Sequence, residues 1–271
     1  MNTFDDAKRL SRTADDQSEP WRRQVAKLRL FNLVMGAVHA VSATVMLLLA
    51  TGFSIEVTTF YGNAQPGPGV DPERLASAFG LPLAVVTVAF LYLSAFFHLL
   101  IASPIGWERY RHELANGINR FRWVEYSLSS TLMIVVIALL PGIQDLAALL
   151  AIAGVNVAMI LFGWLMEMAN PPERTSTWWT PFTMGSIVGA VPWIVITVYL
   201  VGSGSAVPNF VYGIFVSIFI FFNCFALNQW LQYRGKGRWS DYLFGERVYI
   251  WLSLAAKSVL AWQIFANTLV G

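Results

Sequence analysis

Long apolar blocks separated by short polar or Pro/Gly-rich breaks organise this chain. Seven of them run over residues 27–52, 80–102, 121–141, 144–169, 181–202, 207–232 and 244–270. Each is long enough to cross a bilayer, which takes roughly 20 apolar residues in a helix. The breaks are strong turn formers: Pro66-Gly67-Pro68-Gly69, Pro141-Gly142, Asn170-Pro171-Pro172 and Gly202-Ser203-Gly204-Ser205. The pattern predicts an all-α membrane protein, a bundle of seven transmembrane helices over residues 25–271. Residues 1–24 form a polar N-terminal segment, and the first apolar block begins too late and runs too long for a cleavable signal peptide. The first outer loop, about 53–79, opens with SIEVTTFY, which alternates as a strand does and leads to the Gly-Pro turn. A short β-hairpin is expected there, with an edge suited to pairing two subunits; an irregular connector is the alternative.

Composition agrees with the pattern. Hydrophobic residues make up 56% of the chain and charged residues 13%, against about 25% charged in soluble domains. Cys224 is the single cysteine, so a disulfide framework is excluded. A net charge of +2 does not suggest nucleic-acid binding, but its distribution fixes a direction. Sixteen of the eighteen basic residues fall in the N-terminal segment and the loops after the second, fourth and sixth blocks. Arg74 alone lies on the opposite side, and the remaining one is Lys257. The asymmetry places the N-terminus in the cytoplasm and the C-terminus outside, in a multi-pass protein of the cell membrane with lipid as its surroundings.

Few ionisable residues remain inside the blocks: His39, His98, Glu125, Glu167 and Lys257. A charge at a helix centre costs at least ~2.5–3.5 kcal/mol on insertion scales, so such residues mark function. Lys257 sits in WLSLAAKSVLAWQIFANT with no acidic neighbour within a turn, too deep to snorkel with ease. His39 and Lys257 fall near mid-span, while Glu125 and His98 lie in the cytoplasmic half. The four come together if the third and seventh spans adjoin. Alternatives stay open for two of them, Glu125 as an inner-rim partner of Arg122 and His98 as an interfacial histidine, while Glu167, four residues before Pro171, is expected at the rim or behind the site as a supporting carboxylate.

Burial disfavours the charged form of a lysine, which makes the amine nucleophilic and suited to a Schiff base with an aldehyde. A protonated Schiff base in turn needs a carboxylate, and Glu125 is the available one. At this point the chain resembles the microbial-type rhodopsins, and heliorhodopsin in particular. RWVEYSLSS is similar to that family's counterion segment, and ERVYIWLSLAAKSVLAWQ to its retinal-lysine helix. The inner N-terminus, read from charge, is also the family's trait. The resemblance covers residues 25–270. It implies all-trans-retinal as cofactor, linked to Lys257, with Glu125 as counterion and Ser253 near the linkage. It also implies a polar cavity in which His39 and His98 influence or accept the proton. Ser129 and Met133, one and two turns after Glu125, should face the polyene. Asn156, Trp193, Phe222 and Trp262 are expected in the pocket by residue type and depth.

The expected function is a retinal-binding photoreceptor that signals to an unidentified cytoplasmic partner rather than pumping ions. The third span has no carboxylate eleven residues after Glu125, where proton pumps place one; Val136 stands there. Beyond Lys257 only Gln263 and Asn267 are polar and large. The alternatives are a light-driven proton or ion transporter, and a retinal-free secondary transporter that uses Lys257 and Glu125 as a coupling pair. No metal or enzyme constellation is expected, and a homodimer is implied by the resemblance alone.

Overall fold

The computed structural model describes residues 18–60 and 75–269. Most of the N-terminal segment, the Pro66–Gly69 turn and Arg74 lie outside the described residues. Eight α-helices and one hairpin follow in order: α1 Glu19–Leu49, β1 Ser54–Phe60, β2 Leu75–Pro82, α2 Leu83–Ala102, α3 Pro104–Ala115, α4 Arg120–Leu139, α5 Leu146–Ala169, α6 Thr180–Ser203, α7 Asn209–Arg234 and α8 Tyr242–Ile264. Seven of these helices, all but α3, are long and apolar enough to span a membrane. Helices are the form in which an apolar segment bonds all its backbone groups internally, which lipid demands.

Three boundaries differ from the sequence reading. The first helix starts at Glu19 instead of residue 27, because Ser18 and Pro20 form a helix start and Arg22, Arg23 and Lys27 simply extend beyond the apolar stretch. The polar loop after the second span folds as α3, where the Ser103 hydroxyl accepts from Gly106 N and Pro104 opens the first turn. Residues 75–82, placed partly in the second span, pair antiparallel with β1 instead, with an irregularity at Val57/Thr58. The hairpin expected from SIEVTTFY is present.

The bundle has two ends. One carries α3 and the starts of α4 and α8; the other carries the hairpin. Neighbouring helices pack α1 on α2, α2 on α4, α4 on α5, α5 on α6, α7 on α8 and α8 on α1, while α6 and α7 meet only briefly. The larger apolar cluster fills the hairpin half, with Met133, Ile137, Ile152, Ile196, Ile214 and Leu260 among its buried members. The α3 half holds a smaller apolar cluster and most of the buried polar groups. Close packing there needs a glycine at 163, where a Cβ would stand 2.5 Å from the Trp123 ring.

Candidate functional site

Lys257 projects from the middle of α8 and is 3% exposed; Glu125, on α4, is 6% exposed. Lys257 Nζ donates to Glu125 Oε1 at 2.8 Å and to Ser253 Oγ, one turn earlier on α8, at 2.7 Å. The ammonium also lies 5.1 Å from the centre of the Tyr126 ring. Glu125 Oε1 accepts a second bond, from Ser94 Oγ on α2 at 2.7 Å. Two cations or two anions could not share this volume; one of each, bonded, satisfies the desolvation cost that either would meet alone.

His98 follows Ser94 by one turn of α2. Its Nδ1 is 2.7 Å from Asn32 Oδ1 of α1, and its ring stacks on His39 with centroids 5.7 Å apart. His39 is fully buried, and neither of its ring nitrogens has a hydrogen-bond partner among the described residues. The two histidines therefore form one unit against the Glu125 side of the bundle. Glu125 and His98 line the same small cavity.

Arg122 is not the partner of Glu125. Its guanidinium bridges Glu167 of α5 and Glu246 of α8, and it stacks against Trp123 and Tyr249. Glu167 is buried rather than at the rim, bound also by Trp123 Nε1, Asn119 N and Tyr242 Oη. Glu246, Ser94, Asn32 and Tyr126 did not emerge from the sequence. Ser94 had a signal, its four-residue spacing from His98; Glu246 had only its place one turn into an apolar helix.

On the other side of Lys257 lies a cavity of about 290 Å³, at the low end for ligand pockets. Ser129, Met133, Trp193, Phe222, Ser253 and Lys257 all line it. Trp193 meets the rings of Phe215, Phe219 and Phe222 edge-on at 5.2–5.6 Å. Two expected members are elsewhere. Trp262 is five residues after Lys257, roughly 140° around the helix, so it is 40% exposed and bonds Ser42 of α1 instead. Asn156 is buried but lies a turn nearer the hairpin than the lining residue Ile160. There its amide bonds Ser130 and Thr131, tying α5 to α4.

The cavity suits a long apolar ligand with one reactive carbonyl end. Its wall is mainly aromatic and aliphatic, its one amine is at Lys257, and the Ser129 hydroxyl lining it has no hydrogen-bond partner among the described residues. Among the described residues no group of His, Cys, Asp and Glu is placed to hold a metal.

Seven spans around a buried Lys–Glu pair define a protein with the microbial-rhodopsin fold, and solved structures agree. The chain is similar to the transmembrane domain of a rhodopsin phosphodiesterase from Salpingoeca rosetta, with a TM-score of 0.63 at 15% identity, covering 92% of this chain and 88% of that one. It is also similar to cyanorhodopsin from the cyanobacterium Tolypothrix sp. NIES-4075, with a TM-score of 0.59 at 10% identity, over 93% and 96% of the two chains. At such identities the likeness is one of fold. Among curated proteins none matches the sequence significantly. The chain belongs to the heliorhodopsin family, whose model matches residues 28–269. Membership makes it a photoreceptor-type membrane protein with a retinal chromophore held as a Schiff base.

Proposed function

We propose that this protein is a light sensor in which all-trans-retinal is attached to Lys257 and neutralised by Glu125. The observation that carries the reading is the 2.8 Å Lys257–Glu125 bond beside the 290 Å³ cavity that Lys257 lines. Bound as a protonated Schiff base, retinal would supply visible absorption and a light-driven isomerisation. The protein's part is electrostatic. Ser94 holds the Glu125 carboxylate in place independently of Lys257, so the counter-charge keeps its position when the bond to Lys257 changes. Ser253 offers a second, neutral acceptor on the same helix. The His39–His98 unit is the nearest neutral base to Glu125 and takes up a proton released toward the α3 end.

The same arrangement favours signalling over transport. Polar groups continue from Lys257 toward the α3 end, whereas the hairpin half is filled by packed aliphatic side chains. Among the described residues no buried ionisable group lies in that half to relay a proton. With the N-terminus inside, as the basic residues favour, the α3 end faces the cytoplasm, where a partner would meet α3 and the start of α8. A homodimer paired through the hairpin fits the outer edge of β2, since the outer edge of β1 is partly taken by Thr58 N, which donates to Gln144 O.

The direct test is the absorption spectrum after addition of all-trans-retinal to the native chain and to Lys257→Ala. A visible band in the first and none in the second is expected; a colourless native protein ends the reading.

A further inference from the structure

Arg122, Glu167 and Glu246 form the second buried charge cluster of the bundle, and its charges do not balance. Lys257 and Glu125 are one cation and one anion. At the α3 end one guanidinium meets two carboxyls, each 1% exposed. Arg122 Nη1 donates to Glu246 and Nη2 to Glu167, and no other cation among the described residues pairs with either acid. With both acids ionised, the interior would hold an uncompensated negative charge. Two carboxylates facing one cation in a low-dielectric site disfavour double ionisation.

The other groups packed around the cluster are neutral donors. Tyr242 of α8 bonds Glu167, and Trp123 and the Asn119 backbone do likewise. The Asn119 side chain donates to Glu246 Oε2 at 2.7 Å. Tyr110, from α3, lies near Glu246; burial first and that carboxyl second push its phenol up, so it stays uncharged. Tyr233 of α7 and Tyr249 of α8 complete the shell. Toward the centre the titratable neighbours are Glu125 of α4 and, on α2, His98. None of these supplies a second positive charge.

A separate observation joins this cluster to the Lys257 site. A cavity of about 30 Å³ is lined by Glu246 and Arg122 at one side and by Glu125, His98 and Ser253 at the other. That is room for a water molecule, which needs about 10–15 Å³ and two to four polar partners. A buried donor on a residue lining it, Arg122 Nε, has no hydrogen-bond partner among the described residues.

We propose that the Arg122–Glu167–Glu246 cluster is a proton-binding site that holds one proton between its two carboxyls at neutral pH, connected to Glu125 and His98 by a water bound in the intervening cavity. The site is distinct from the chromophore pocket and does not depend on what Lys257 carries. It gives the α3 end of the bundle a carboxyl acid that exchanges its proton through that water, one cavity away from the counter-charge.

The test is infrared spectroscopy of the full-length chain in lipid vesicles, in the dark, with all-trans-retinal added. The readout is the carbonyl stretch of a protonated carboxyl, which exists whether or not a visible band forms. Failure of the chromophore reading is therefore seen separately. The native chain should show this band at neutral pH, and Glu125→Gln should keep it. Glu246→Gln should abolish it. Glu167→Gln should abolish it too, because one acid facing one guanidinium ionises. Gln preserves the shape of Glu in both variants, and retained helical circular dichroism checks the fold. Absence of the band in the native chain, or its survival in either Gln variant of the cluster, would overturn the proposal.

Discussion

Lys257 and Glu125 are 132 residues apart in the chain and 2.8 Å apart in the bundle, each nearly inaccessible to solvent. The bond joins α8 to α4 inside two apolar spans, where an unpaired charge would be expensive in lipid. Its polar partners are Ser94 on the carboxylate and Ser253 on the amine, with the histidine pair behind them.

Replacement of Glu125 by Gln should shift the visible band of the retinal-loaded protein to the red. A carboxylate beside the linkage holds positive charge at the nitrogen in the ground state, and its loss narrows the gap to the excited state. A part of the material should also move to an ultraviolet-absorbing, deprotonated form at neutral pH. An unchanged spectrum removes Glu125 from the counterion role.

Ser94→Ala should act in the same direction but less. A hydrogen bond to a charged group contributes about 1.5–3 kcal/mol, and Ser94 supplies one such bond to Glu125 while leaving the charge itself in place. Spectra of the single and double variants would show whether the Ser94 effect vanishes once residue 125 is Gln, as expected if it acts only through the carboxylate.

His39→Leu should leave thermal stability unchanged or raise it, since His39 has two buried nitrogens with no partner and their removal relieves a desolvation cost. The same change should slow the recovery of the visible band after a flash if His39 and His98 take up the proton. Equal stability with equal kinetics would confine His39 to packing.

Arg122→Gln should be the most damaging of these substitutions. Removing one partner from a buried ionic cluster costs about 3–5 kcal/mol, and Glu167 and Glu246 share this single guanidinium. Thermal bleaching of the retinal-loaded protein should occur at a clearly lower temperature than in the native chain.

Illumination of cells that produce the protein should give no sustained photocurrent or pH change, because the hairpin half contains a packed aliphatic core where a relay would have to run. Continuous current at any voltage would replace the sensor reading with a transporter.

By itself the sequence determined the seven spans, the first strand of the hairpin and Lys257 as the residue out of place. Each is a local property, since hydropathy over twenty residues, strand alternation and a lone ammonium in a helix need no knowledge of neighbours. Membership of the pocket was legible only in part. Ser253, Ser129 and Met133 came from the family resemblance, with helical spacing from Lys257 and Glu125 consistent with it, but Trp262 turned outward and Asn156 fell a turn too far along, because depth and residue type do not fix a helix's rotation. The partner of Arg122 was decided by tertiary structure alone. Glu125 stands three residues from it, and that pairing stayed open in the chain as an alternative; the packing of α4 between α5 and α8 gave the guanidinium to Glu167 and Glu246 and left Glu125 for the lysine. Charge pairing inside a bundle depends on which helix faces meet, and no pattern within one helix specifies that.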